Sequence, residues 1–263
     1  MNSNVKIDNL KKTFVLSKKQ MKIDKTNDKY KKAVDGVSFE AFSGEIFGLL
    51  GPNGAGKTTT LRCISTLIKP DSGIINIMGY DSKNEIQVKR NIGFLTNELK
   101  LEEQMTPNYA FEYFGKFYDL TKEEIEKRKK ELFTRFGVDK FAEVKIGDLS
   151  TGMKQKVSIV VSLVHDPDII IFDEPTNGLD VLTAKTVTDY LEELAKEGKT
   201  VIISTHIMSL AQKLCQRVGI IINGKMVICD TLENILNQYN SNDLEDVFFE
   251  LYKKEEENNE TCA

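Results

Sequence analysis

This sequence lacks an excess of charge of either sign: 36 Lys and Arg stand against 40 Asp and Glu, a formal net charge of -4. Without a basic surplus there is no electrostatic footprint for a nucleic acid, and none is expected as a partner. A cysteine framework is missing too. Cys63, Cys215, Cys229 and Cys262 lie far apart, with no Cys-x-x-Cys and no Cys/His cluster at ligand spacing, which argues for reduced thiols in a cytosolic compartment. The longest apolar stretches, Ser158 to Val164 and Ile169 to Phe172, fall far short of the roughly 18 residues of a membrane span. Lys6, Lys11 and Lys12 sit among scattered apolar residues without an apolar core segment or a small-residue cleavage site, so no signal peptide is read. Membrane association is then expected to run through a partner. There is no internal repeat.

What the chain does have is a core. With 40% hydrophobic residues over 263 positions, it can bury one large domain or two modest ones. Short β-branched runs recur at Val5 to Ile7, Val37 to Phe39, Ile46 to Leu50, Ile74 to Met78, Ile92 to Leu95, Ile169 to Phe172, Val201 to Ser204 and Val218 to Ile222. Runs as uniformly apolar as Ile169 to Phe172 fit strands buried on both faces, with amphipathic segments such as Thr183 to Glu197 as the covering helices. The expected class is α/β with a mainly parallel central sheet. Between residues 96 and 166 the pattern changes: Pro107 to Tyr118 and Lys122 to Phe136 read as charged helices and no strong strand intervenes. An inserted helical subdomain is expected there, with residues 1–95 and 167–236 as the catalytic core and 237–263 as a C-terminal extension. Leu232 to Tyr239 reads as helix, Lys253 to Ala263 is expected to be disordered, and Ser17 to Lys32 to form an exposed loop or hairpin.

Residues 51 to 58 read Gly-Pro-Asn-Gly-Ala-Gly-Lys-Thr, between the apolar run Ile46 to Leu50 and the helical Thr59 to Leu67. This is a complete phosphate-binding loop in strand, loop, helix order. Its glycines let backbone N–H groups turn onto phosphates at the positive end of a helix, Lys57 adds a point charge and Thr58 a Mg²⁺ ligand. Far downstream, Ile169 to Phe172 runs into Asp173-Glu174. Alone, such a pair is often two solvated strand-end carboxylates. Beside a phosphate loop it has a specific use: Asp173 holds Mg²⁺ directly or through water, and Glu174 polarises the water that attacks the γ-phosphate. Leu149-Ser150-Thr151-Gly152-Met153 opens the segment Lys154 to His165, and Ser150 suits a helix N-cap.

With both halves of a nucleotide site present, that string resembles the signature motif of ATP-binding-cassette ATPases, usually Leu-Ser-Gly-Gly-Gln. The phosphate loop, the signature, the carboxylate strand, Gly178-Leu179-Asp180 and Ser204-Thr205-His206 then follow in that family's order over roughly residues 1 to 236. The resemblance implies a P-loop NTPase fold with an antiparallel β subdomain beside the central sheet. It implies ATP and Mg²⁺ sandwiched between two copies of the chain. Gly51, Asn53, Gly54, Gly56, Lys57, Thr58 and Thr59 of one copy would hold the nucleotide, and Ser150 and Gly152 of the other would close on the γ-phosphate. Asp180 matches the loop that communicates between the two sites, and His206 the switch histidine that contacts the γ-phosphate. Adenine would stack on an aromatic residue near the first strand, either Phe14 or Tyr30, with Phe14 the better match. Thr151 and Met153 depart from the usual signature, yet Ser150 and Gly152 are kept. The glutamine that usually follows the Ile92 to Leu95 strand and touches Mg²⁺ aligns with Asn97, one methylene shorter but with the same kind of amide oxygen; Glu98 stands beside it as a substitute.

Chromosome and repair ATPases of this family separate phosphate loop and signature by a very long coiled coil, whereas here only residues 59 to 148 intervene. Ribosome-acting members carry two cassettes in one chain, and this has one. The resemblance therefore implies the ATPase subunit of a transporter, at the cytoplasmic face of the membrane, with a separate membrane-spanning permease. A soluble ATPase acting on ribosomes or another macromolecule is the alternative. Ser17 to Lys32, the Leu-Ser-Thr-Gly-Met string and Thr-His-Ile-Met-Ser-Leu at 205 to 210 are similar to the sodium-efflux ATP-binding subunits, features that drug exporters share in large part.

Overall fold

The computed structural model describes residues 3–23, 26–96 and 101–260, with side chains through 257. Its central sheet is built from β3 (Ile46–Leu50), β6 (Ile92–Leu95), β7 (Ile169–Asp173), β8 (Thr200–Thr205), β9 (Arg217–Ile222) and β10 (Lys225–Thr231), in the order β10-β9-β3-β8-β7-β6. Every pairing is parallel except the edge hairpin β9–β10. β3, β7 and β8 are buried at every position, which is why their sequences are apolar on both faces instead of alternating. Ile46, Leu50, Ile170, Phe172, Val201 and Ile203 face one core, while Phe47, Leu49, Ile169, Ile171 and Ile202 face the other.

The second core lies under a four-stranded antiparallel sheet, β2-β1-β4-β5, made of β1 (Ser3–Val15), β2 (Tyr30–Phe42), β4 (Ser72–Ile77) and β5 (Tyr80–Asp81). The expected loop between the first strands contains α1 (Lys18–Ile23), a short helix with no buried residue, and its end, Tyr30 to Lys32, already belongs to β2. α2 (Lys57–Ile64) packs between the sheets, with Leu61, Cys63 and Ile64 in that core, and α3 (Glu85–Asn91) leads into β6.

Residues 101 to 166 form no strand. Thr106 caps α4 (Pro107–Phe117), whose proline occupies the first turn, where its missing N–H costs nothing. Thr121 and Glu124 form a capping box that starts α5 (Lys122–Phe136), and Gly137 closes it in the left-handed conformation. After two 3₁₀ turns, Asp139–Phe141 and Ile146–Asp148, Ser150 caps α6 (Thr151–Ser162). Where α6 runs into β7, His165 stacks on Tyr118 with ring centroids 3.9 Å apart, and its Nε2 lies 3.2 Å from the Ile92 carbonyl oxygen. Its Nδ1 is buried with no partner among the described residues. Burial pulls the pKa of this ring down to about 4.

α7 (Val181–Lys196) and α8 (Met208–Leu214) cover the first core, followed by α9 (Leu232–Gln238) and α10 (Leu244–Glu260). The tail therefore departs from its expected disorder: α10 continues through Lys253 to Glu260, and only 261–263 lie outside the described residues. Its anchor is upstream, where Leu244, Val247 and Leu251 are buried at helical spacing, and Glu and Lys, good helix formers, carry it onward. Gln212 of α8 ties the start of this helix, donating to the Asn242 carbonyl and accepting the Leu244 N–H, each at 2.8 Å. Cys63, Cys215 and Cys229 are unbridged, and no helix among the described residues is long and apolar enough to cross a membrane.

Candidate functional site

At the carboxyl end of β3 the chain turns through residues 51 to 56 into α2, and two glycines there have no substitute. A Cβ on Gly51 (φ 149°) would stand 2.1 Å from the Ile221 carbonyl oxygen, and one on Gly56 (φ 109°) 2.2 Å from that of Ala33. Asn53 and Gly54 are exposed at the tip, and Thr58 and Thr59 half-buried on the first turn of α2. Lys57 is 5% exposed. Its Nζ donates back to the carbonyl oxygens of Gly51 and Pro52 at 2.7 and 3.1 Å. Desolvation pulls its pKa below the ordinary lysine value, opposed by the charges of Glu174 and Asp173.

Those carboxylates arrive on the neighbouring strand but one. Asp173 ends β7, buried, and its Oδ1 accepts a short hydrogen bond from the Ser204 hydroxyl of β8. Glu174 follows at φ 55°, a left-handed conformation that costs a non-glycine residue about 1–2 kcal/mol. This turn directs its side chain into the site. Glu174 Oε1 lies 3.9 Å from Lys57 Nζ and 3.0 Å from His206 Nδ1, and its Oε2 accepts from the Thr205 hydroxyl at 3.4 Å. A carboxylate acceptor favours the proton on Nδ1 and leaves Nε2 as the basic nitrogen of His206. Thus Lys57, Asp173, Glu174 and His206, spread over 150 residues of sequence, converge on one point.

Other expected site residues stand apart from that cluster. The exposed Ser150 accepts the Met153 N–H at 3.4 Å as the cap of α6, and a Cβ on Gly152 would meet nothing within 4 Å, so the first turn of this helix is open. Asp180 is exposed and caps α7. It accepts from the Thr183 hydroxyl at 2.6 Å and from the Leu182 and Thr183 N–H groups at 3.0 Å, bonds that hold its carboxyl below the usual range, with the Thr183 hydroxyl first among them. Gln155 Nε2 donates to the Asn177 carbonyl at 3.3 Å and so joins α6 to the segment that leads to Asp180. Phe14 is half-exposed on β1, beneath the Lys12 ammonium at 5.5 Å, and pairs with Lys31; the more exposed Tyr30 pairs with Val15. The next stretch of β2, Ala33, touches Gly56, which brings this hairpin to the phosphate loop. Asn97 and Glu98 lie outside the described residues.

Sequence reading overlooked Ser204, Thr205 and the tail helix. The string Ser-Thr-His drew attention to its histidine, while nothing local indicates that Ser204 faces Asp173. Glu245, Phe248 and Phe249 of α10 wall a cavity of about 410 Å³ together with residues 51–53 and 206–209.

Comparison with known proteins gives this geometry its family. The model of the ABC transporter family matches residues 34–177. The chain belongs to the ABC transporter family. It is 42% identical over 219 residues, 82% of this chain and 89% of the relative, to the ABC transporter ATP-binding protein NatA of Bacillus subtilis (strain 168). The solved "Structure of ATP binding subunit of ABC transporter" superposes with a TM-score of 0.85 at 27% identity, covering 95% of this chain and 100% of that one. The dimeric post-hydrolysis state of the ATP-binding cassette MJ0796 bound to ADP and Pi superposes with a TM-score of 0.74 at 28% identity, covering 87% and 98%. As an ABC protein with a P-loop NTPase fold, the chain is an ATPase.

Proposed function

We propose that this chain is the ATP-hydrolysing subunit of an ABC exporter, working as a pair of copies at the cytoplasmic face of the membrane beneath a separate permease. The observation that carries the proposal is the convergence of Lys57, Asp173, Glu174 and His206 within one chain, which makes each copy complete for hydrolysis. The open first turn of α6 supports a role for Ser150 and Gly152 toward the nucleotide of the second copy, because a helix N-terminus with a hydroxyl is an anion site.

In this reading the triphosphate lies along residues 51–59, with Phe14 against the adenine, and draws Lys57 Nζ from the loop carbonyls to the phosphates. Glu174 accepts a proton from the attacking water, and His206, oriented through Nδ1, uses Nε2 to accept a hydrogen bond from that water and position it beside the γ-phosphoryl group. Little covalent work is required, since positioning and charge supply most of the rate. Among the described residues no group of three or more acidic, Cys or His side chains could cage a metal by itself. That fits Mg²⁺, which keeps waters and substrate phosphates and needs only one or two protein carboxylates. Asp173, Thr58 and Asn97 would hold it, and when bound it neutralises charge on the phosphates.

A groove of about 550 Å³ between the helical segment and the core, edged by the exposed Leu67, Ile86 and Phe117, supports docking of the permease there. Sodium as cargo rests on the resemblance of residues 17–32, 149–153 and 205–210 to sodium-efflux subunits, because cargo is read by the permease. The test is an affinity pull-down of Glu174→Gln with ATP and Mg²⁺ from detergent-solubilised source cells. A multi-span polypeptide at near one-to-one ratio, supporting sodium flux in vesicles, is the expected result; ribosomes or soluble proteins alone would overturn the transporter reading.

A further inference from the structure

Ser204 is fully buried near the end of β8, opposite Asp173 in the β7–β8 ladder. Its single hydroxyl reaches both members of the carboxylate pair. The O–H donates to Asp173 Oδ1, and the oxygen accepts the Glu174 N–H at 3.2 Å while the Ser204 carbonyl accepts the same N–H at 3.1 Å. Val201, Ile202 and Ile203 precede it on a strand that is buried at every position, so a hydroxyl at this depth is costly unless its bonds are used. Here the bonds serve two purposes. One occupies a single oxygen of Asp173 and so fixes the plane of that carboxylate; the other helps hold Glu174 in the left-handed turn that aims its side chain at Lys57 and His206.

We propose that Ser204 is a positioning residue of the nucleotide site, acting through Asp173 on the divalent cation and through the Glu174 backbone on hydrolysis. The inference rests on the roles given above to Asp173 and Glu174. A purely packing role predicts that removing Oγ leaves metal and turnover unchanged. A positioning role predicts a loss in both without a loss in nucleotide binding, the pattern seen when groups that orient metal ligands are removed.

The experiment compares the parent chain, Ser204→Ala and Ser204→Cys, which keeps a weaker donor of similar size. Binding of a fluorescent ATP analogue without metal, Mn²⁺ binding by electron paramagnetic resonance with a non-hydrolysable ATP analogue, and the kcat and KM for ATP are measured, with thermal melts to establish folding. For Ser204→Ala we expect metal-free nucleotide affinity within about twofold of the parent, Mn²⁺ affinity and kcat each down about tenfold, and KM little changed. Ser204→Cys recovers part of both losses. Parental Mn²⁺ affinity and kcat in a folded Ser204→Ala overturn the inference, and if that variant does not fold, parental Mn²⁺ affinity and kcat in Ser204→Cys, whose thiol is only a weak donor, do the same. A parent chain that itself fails to bind Mn²⁺ with the analogue would instead remove the site reading on which the inference stands.

Discussion

His165 should contribute to the acid limit of this protein's stability. Its pKa falls from 6.5 to about 4 on folding, first through burial, with the Ile92 carbonyl and Asp166 opposing and Arg128 and Lys199 adding to the fall. Above pH 6.5 the ring is neutral in both states and contributes no pH dependence. Below it the unfolded ring gains a proton that the folded ring accepts only near pH 4, so stability is lost as the pH falls through this window. At about 1.4 kcal/mol per unit, and allowing for the ring's residual exposure, the loss is about 2–3 kcal/mol. His165→Phe keeps a ring against Tyr118 but abandons the bond to the Ile92 carbonyl, at a cost of about 1 kcal/mol. Urea unfolding by circular dichroism should therefore find the variant less stable at pH 7.5 and more stable at pH 4.5, with a crossing near pH ~6. Other titrating groups cancel in the difference. A difference that stays constant from pH 7.5 to 4.5 would refute the reasoning.

Glu174→Gln should retain ATP binding while turnover in a phosphate-release assay falls at least about a hundredfold; substantial residual turnover would remove Glu174 from the base role. The same variant should dimerise with ATP by light scattering and Lys57→Ala should not, so monomers in both cases count against a shared site. Gly56→Ala drives a Cβ to 2.2 Å from the Ala33 carbonyl at φ 109°, and should lose about 2–3 kcal/mol in urea unfolding together with nucleotide binding. Phe14→Ala should weaken ATP about tenfold in a fluorescence titration while Tyr30→Ala changes it less than twofold; the opposite ranking transfers the stacking role to Tyr30.

The strands buried on both faces were legible because a parallel sheet covered on each side leaves no polar alternation, and β3, β7, β8 and β9 all carry that mark. β10 does not: it is an edge strand, half-buried along most of its length, and Lys225 to Thr231 reads as neither period. β5 is two residues long and below any pattern. The tail was misread because its polar end was judged by itself, whereas the apolar anchors Leu244, Val247 and Leu251 lie before it. Within the site, the residues whose chemistry is intrinsic to their type, Lys57 and Glu174, could be named from sequence. Ser204 and Thr205 could not, because their part depends on β7 lying beside β8, a relation between distant segments.

Both ladder partners of β3, the strand that carries the phosphate loop, come from residues 200–222. A ribosome adding ~5–20 residues per second therefore exposes β3 for on the order of ten to thirty seconds before either neighbour has been made. Over that interval its five apolar residues have no native edge to pair with, and the loop has no floor to rest on. Chaperone demand during synthesis, and loss of nucleotide binding in a chain truncated before β9, are what this strand order predicts.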